Sequence, residues 1–274
     1  MSNKDNAVAM IMITGASSGI GLVTAKALKR AGYRVFGTSR KESASIDGIT
    51  MLTCDVTDED SVKNTVAEVL KQAGRIDLLV NNAGLGLAPA GAEESSIEQA
   101  RSIFDTNFYG IVRMTRAVLP HMRLQGGGRI INIGSVLGFL PMPYGSLYAA
   151  TKHAVEGYSE SLDHELRTMG IRVSVVEPAY TKTQFGANLQ QPDAELDAYR
   201  EVRAALGKLL PQKVAAGDEP SVVASVVLKS ANTARPKLRY TAGSRARLLQ
   251  FLRRYAPAGV VDAGVRKDIQ LDAR

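Results

Sequence analysis

The stretch MIMITGASSGIGLVTAKALKR, residues 10–30, passes from an apolar run through a glycine turn directly into an amphipathic helical pattern. A strand that feeds a helix through so short a turn lays that helix back over its own sheet, the first half of a right-handed βαβ unit. Gly15, Gly19 and Gly21 allow a backbone path and a close approach that a side chain would forbid. The unbonded N–H groups and positive dipole end of the following helix then suit an anion. Ser17 and Ser18 add hydroxyl donors to the same turn.

The alternation continues along the chain. Apolar runs at 8–13, 34–38, 49–53, 77–81, 129–134, 172–177 and near 238–241 are separated by helical patterns at 19–31, 58–73, 96–124, 147–169 and 220–231. This order predicts an α/β fold, a doubly wound parallel Rossmann sheet of about seven strands flanked by helices. Thr57 with Asp60 behind it predicts a helix N-cap, and Pro120 is expected to interrupt or end the 96–124 segment. No repeat or linker divides the 274 residues, so one domain is expected. Within it, 8–183 forms the cofactor-binding and catalytic core, and 218–274 supplies a helix, the last strand and a basic tail. Residues 184–217, weakly periodic and broken by Pro192 and Pro211, read as a C-terminal helical lid, because ligand sites form at this end of a strand. An ordinary packed helical pair fits the same pattern.

Several function classes are excluded early. The single cysteine, Cys54, rules out a disulfide scaffold and fits a reducing, cytoplasmic compartment. His153 and His164 share a helical stripe, yet no acid or cysteine set completes a metal site. The N-terminus lacks a secretory pattern, and no run approaches the roughly 18 apolar residues of a membrane span. The net charge of +7 is concentrated late, in RPKLRYTAGSRARLLQFLRR, which carries no acid. This reads as a solvated basic face and not as a nucleic-acid site.

The motifs TGASSGIG, CDVTD (54–58), NNAG (81–84), DTNFYG (105–110), INIGS (131–135) and YAATK (148–152) occur in an order that resembles the short-chain dehydrogenase/reductase family. The likeness covers roughly 8–185, and the segment from Ser135 to Thr183 is most similar to the hydroxysteroid and retinol dehydrogenase branch. It implies a catalytic set of Asn107, Ser135, Tyr148 and Lys152. It implies dinucleotide contacts from Gly15, Ser17, Ser18, Gly19, Ile20 and Gly21, and from Asp55 and Val56 beside the adenine. Asn82, Ala83 and Gly84 follow, then Pro178, Thr181 and Thr183 near the nicotinamide, with Tyr148 and Lys152 touching its ribose. Ala179 departs from the family's usual glycine and would be strained if φ were positive there. The resemblance also implies a homo-oligomer, a dimer or tetramer.

Tyr148 and Lys152 are one helical turn apart, so they share a face. A phenol is a sluggish acid–base group at neutral pH, and a nearby ammonium would lower its pKa. By resemblance Tyr148 exchanges the proton, Ser135 steadies the substrate oxygen, Lys152 tunes Tyr148 and Asn107 holds a water. At the end of the second strand, where NAD-dependent members carry an acid, stand Thr38, Ser39 and Arg40. Arginine there offers a forked grip on a 2′-phosphate, which points to NADP(H). The expected partner is a small carbonyl or alcohol, made hydrophobic by Leu137, Phe139, Leu140, Pro141 and Met142 if they face it. The alternatives are a non-catalytic NADP(H) sensor and a carrier-linked ketoacyl reductase docking through the basic C-terminal region.

Overall fold

The structure is a computed structural model that describes residues 8–271. Residues 1–7, most of the N-terminal stretch read above for a signal, and 272–274 at the end of the basic tail lie outside it. Seven strands form one sheet: β1 (Met10–Ile13), β2 (Arg34–Ser39), β3 (Thr50–Thr53), β4 (Leu78–Asn81), β5 (Gly128–Ile133), β6 (Ile171–Pro178) and β7 (Arg239–Ala242). Their order is β3-β2-β1-β4-β5-β6-β7, and every neighbouring pair is parallel. The chain reverses its direction of travel across the sheet between β1 and β4, where a crevice opens at the strands' C-terminal ends.

Side chains alternate across this sheet because successive Cβ atoms point to opposite faces. Met12, Phe36, Ile130 and Val173 pack on one face with Val62, Val66, Met114, Val118 and Leu162. Those partners come from α2 (Glu59–Ala73), α4 (Gly110–Leu124) and α5 (Ser146–Leu166). Ile11, Ile13, Val35 and Val80 pack on the other with Ala25, Leu28, Val223 and Val227, from α1 (Gly19–Arg30) and α7 (Pro220–Asn232). Burial on both faces explains why the strands read as continuous apolar runs.

The structure corrects several boundaries. The N-cap of α2 is Asp58 and not Thr57: its carboxylate accepts from the N–H groups of Asp60 and Ser61, while Thr57 turns back onto Asp55. The 96–124 segment divides into α3 (Ile97–Phe104), a π-turn at Asp105–Tyr109 and α4, which runs past Pro120 to Leu124. Pro211 likewise sits inside α6 (Arg200–Ala215). The basic tail holds two further helices, α8 (Ser244–Tyr255) and α9 (Ala258–Asp268). Among the described residues no helix is long and apolar enough to cross a membrane.

Candidate active site

The turn after β1 is shaped by glycine. Gly15 and Gly19 have φ of 65° and 54°, and a Cβ on Gly21 would run into the carbonyl oxygen of Gly15 and come within 2.5 Å of Asn82 Nδ2. Asn82 braces the turn from beneath, donating to the carbonyls of Thr14 (2.9 Å) and Gly15 (3.0 Å). The Thr14 hydroxyl accepts from the N–H groups of Asn82 and Ala83. Gly84 comes next, exposed and beside Asn107. Ser18 is the N-cap of α1 but spends no hydroxyl bond on capping, and the first turn of α1 carries no acid. Ser17 and Ser18 are exposed and Ile20 is half-buried. Open N–H groups, two free hydroxyls and a backbone shaped for close approach fit the phosphates of a dinucleotide.

At the end of β2 the Ser39 hydroxyl is occupied by the backbone of Lys41, donating to its carbonyl and accepting from its N–H. Arg40 beside it is exposed, and among the described residues its guanidinium takes no hydrogen bond or ion pair. Asp55 accepts from the N–H and hydroxyl of Thr57. Burial raises its pKa, but those bonds and the nearby Arg40 and Arg113 outweigh it and hold the carboxyl below the ordinary range. Val56 is buried, fitting into space that Gly110 leaves open on α4.

The catalytic candidates come together from three elements. Lys152 Nζ lies 5.6 Å from the Tyr148 ring centroid and donates to the carbonyl of Ile133 at 3.0 Å, tying α5 to β5. Ser135, just beyond β5, is 8% exposed, and its Oγ accepts from Leu137 N–H at 3.1 Å. The Tyr148 hydroxyl makes no hydrogen bond to the described residues. Asn107, in the π-turn, accepts from Leu85 N–H (2.7 Å) and donates to the Leu85 carbonyl (2.8 Å) and Thr151 Oγ1 (3.3 Å). Its partners lie on the loop after β4 and on α5, not within its own helix.

The electrostatics differ from the sequence-based expectation. Burial pushes the Tyr148 phenol up and the Lys152 ammonium down to about 8, the latter opposed by Glu156. The desolvation of the phenolate therefore exceeds what the neighbouring ammonium returns in the chain by itself.

Beyond β6, Pro178 ends the strand, and Ala179 is free of strain because its φ is not positive. Thr181 donates to the Ala179 carbonyl, and Thr183 caps a short turn while lying against Gly19. A groove beside Tyr148 is lined by Leu87, Ala88, Ala90, Tyr144 and Leu147. The residues 137–142 expected there do not line it, and Leu140 is buried. Phe185 reaches over the site, its ring 6.1 Å from that of Tyr148.

Two buried networks escaped sequence reasoning. Asn81 donates to Asn132 and Asn132 to Ser159, joining β4, β5 and α5. Glu156 and Glu177, both buried, meet near Arg239, one turn of α5 beyond Lys152. Glu177, an acid inside an otherwise apolar strand, was the one sequence cue to the second network. Cys54 is free and buried, and among the described residues no group of histidines, cysteines and acids could hold a metal.

Residues 9–194 match the short chain dehydrogenase family. The chain is 38% identical over 243 residues to a 3-ketodihydrosphingosine reductase of Bacteroides thetaiotaomicron, covering 88% of this chain and 90% of that one. It is 35% identical to bovine (Bos taurus) retinol dehydrogenase 8 over 274 residues, covering 91% and 86% of the two. A solved short-chain dehydrogenase from Streptomyces avermitilis superposes with a TM-score of 0.80 at 31% identity, covering 98% of each chain. With the glycine cradle and the Tyr148–Lys152 pair standing at the head of one parallel sheet, the chain belongs to the short chain dehydrogenase family of oxidoreductases.

Proposed function

We propose that this chain is an NADP(H)-dependent reductase of apolar ketones or aldehydes, running in reverse on secondary alcohols. The observation that carries the reading is Tyr148: its hydroxyl is free of protein partners, and beside it stands a buried lysine bonded to Ile133, two residues before Ser135. When bound, the dinucleotide supplies or accepts the hydride.

The chain's own residues do the rest. Gly15, Ser17, Ser18, Gly19, Ile20 and Gly21 hold the pyrophosphate, Ala83 and Gly84 line the nucleoside, and Asp55 and Val56 border the adenine. Pro178, Thr181 and Thr183 flank the nicotinamide. Ser135 still has its hydroxyl hydrogen to donate, since its oxygen accepts from Leu137. It steadies charge growing on the substrate oxygen. Tyr148 delivers the proton, and the burial that keeps its phenol protonated favours the carbonyl-reducing direction. Lys152 orients the ribose and stabilises phenolate once the proton has left. Asn107 fixes the loop at Leu85 against α5 and so holds the floor of the site.

Arg40 supports the choice of dinucleotide. Similar solved structures include a Burkholderia phymatum short-chain dehydrogenase/reductase in complex with NAD and ElxO with NADP bound, so the fold serves either. An exposed guanidinium without a protein partner at the end of β2 suits a 2′-phosphate. The groove's apolar lining suits a hydrophobic substrate, and the name of the Bacteroides relative specifies a 3-keto compound. Residues 184–217 act as a lid over this groove. Residues 190–203 are tied to 87–96 through Gln190, Asp193 and the Arg203–Glu94 ion pair, which leaves Phe185 and Leu189 against Gly86.

The test follows NADPH and NADH consumption against a panel of apolar ketones and aldehydes. NADPH-dependent turnover is expected, falling by about 10²- to 10⁴-fold in Tyr148→Phe. Equal use of NADH overturns the cofactor assignment, and tight NADPH binding without any turnover would mark a sensor.

A further inference from the structure

Helix α8 has the sequence SRARLLQFLRRY, four arginines and no acid. Only Ala246 on it is buried. Leu248, Phe251, Leu252 and Tyr255, at i, i+3, i+4 and i+7, form a continuous apolar stripe on the opposite side of the helix. Phe251 is 59% exposed and Tyr255 64%, values that place the stripe in solvent and not in the core. Val260, near the start of α9, is likewise exposed, at 56%.

The charge on α8 itself is one-sided, the nearest exposed acid in the sequence being Asp262 of α9. Arg247 and Arg254 border the stripe, and among the described residues neither they nor Arg253 has an ion pair. Arg254 lies over the Tyr255 ring at 5.5 Å, holding cation and aromatic at the same edge. The pair of helices is nonetheless firmly mounted. Asp268 at the end of α9 binds Arg245 and Lys213, each at 2.7 Å, and Tyr180 at 3.3 Å. Ile269 is buried, and Gln250 on the inner side of α8 donates to Glu177 at 3.1 Å. A rigidly held helix that turns aromatic and leucine side chains outward, edged by unpaired arginines, has the form of an element that lies in a membrane interface.

We propose that α8 and the start of α9 dock this protein onto an anionic phospholipid bilayer. The stripe enters the boundary between headgroups and acyl chains, and Arg247 and Arg254 at its edge contact lipid phosphates. A second copy of the chain fits the same face poorly. A two-fold contact centred on the stripe would bring each helix's arginines against their own copies, without an acid on α8 to answer them. Docking itself does not depend on the catalytic reading.

The experiment is flotation of the full chain with phosphatidylcholine vesicles, with and without phosphatidylglycerol, at low and high salt. Partition into the anionic vesicles is expected at least tenfold above the neutral ones, falling as salt rises. Leu248→Gln/Phe251→Gln and Arg247→Glu/Arg254→Glu should each reduce it tenfold or more. Because these side chains are exposed, thermal midpoint and NADPH binding should stay at parental values, which separates lost docking from lost folding. Absence from the anionic vesicles overturns the proposal, as does equal binding to neutral ones or indifference to the stripe substitutions. Sedimentation runs alongside: an oligomer that the same variants dissolve, with no vesicle binding, would assign the stripe to a second copy instead.

Discussion

Glu156 of α5 and Glu177 of β6 lie side chain to side chain in the interior, each burying an Oε1 that no N–H donor reaches. Arg239 of β7 is 2.9 Å from Glu156 and 3.8 Å from Glu177, and Gln250 of α8 donates to Glu177. Lys152 stands one turn earlier on α5 and Glu160 one turn later, the latter also paired with Arg239. A single proton shared by the two carboxyls would satisfy both buried oxygens and leave one net charge for Arg239 to balance.

That arrangement has a pH signature. Burial, with Glu156 beside it, pushes Glu177 up to about 8. A carboxyl whose folded pKa is raised stabilises the fold fully below the ordinary carboxylate range, and loses that contribution as pH rises through about 8. Stability should therefore decline between pH 5 and pH 9. Glu177→Gln, which is permanently neutral and can donate to Glu156, should flatten the decline. Thermal midpoints at three pH values check this; parallel curves for parent and variant would refute the shared proton.

Asp163 works in the opposite sense. Burial raises its pKa, but Arg172, Arg167 and the N–H of Val173 outweigh that and hold it at about 2. Its contribution is present above the ordinary aspartate pKa and lost as pH falls through about 2. Asp163→Asn should cost about 2–3 kcal/mol at pH 7, less than the ~3–5 of a fully enclosed pair because both arginines reach water. Urea unfolding at pH 7 and pH 3 should show the difference narrowing in acid.

Tyr148→Phe removes the proton donor and little volume. A fall in kcat of about 10²- to 10⁴-fold is expected, the usual worth of general acid–base catalysis. NADPH affinity, read by fluorescence titration, should change little, so a large loss of binding would place Tyr148 in a structural role.

Arg40→Ala should weaken NADPH by about 1.5–3 kcal/mol, the value of a charged hydrogen bond, and leave NADH nearly untouched. The ratio of kcat/KM for the two dinucleotides reads it directly. Preference for NADPH that survives the substitution would move 2′-phosphate recognition elsewhere.

Much of the fold was legible because strand residues such as Ile11 to Ile13 and Val173 to Val176 are buried on both faces. The motif spacings likewise located the glycine turn and the Tyr148–Lys152 pair. What escaped was decided by tertiary partners. The period of Leu248, Phe251, Leu252 and Tyr255 is helical, but it points away from the core and was masked by the arginines among them. Glu177 lies in an apolar strand, and nothing local shows that Glu156 will stand opposite. The lining of the groove followed the path of 87–95 and 144–147, which depends on how Phe185, Leu189 and Tyr199 seat against Gly86 and Gly91.

The π-turn at Asp105–Tyr109 sets a limit on how this protein can be altered. It holds one residue more per turn than the helices on either side, and that surplus aims Asn107 at Leu85 and Thr151. Deleting a residue of the turn other than Asn107 would make α3 and α4 one regular helix, a gain by every local measure. It would also swing Asn107 about a quarter of the way round the axis, leaving the loop at Leu85 untethered. Smoothing the helix and keeping the site are incompatible aims, so length in this segment is as constrained as identity is at Tyr148.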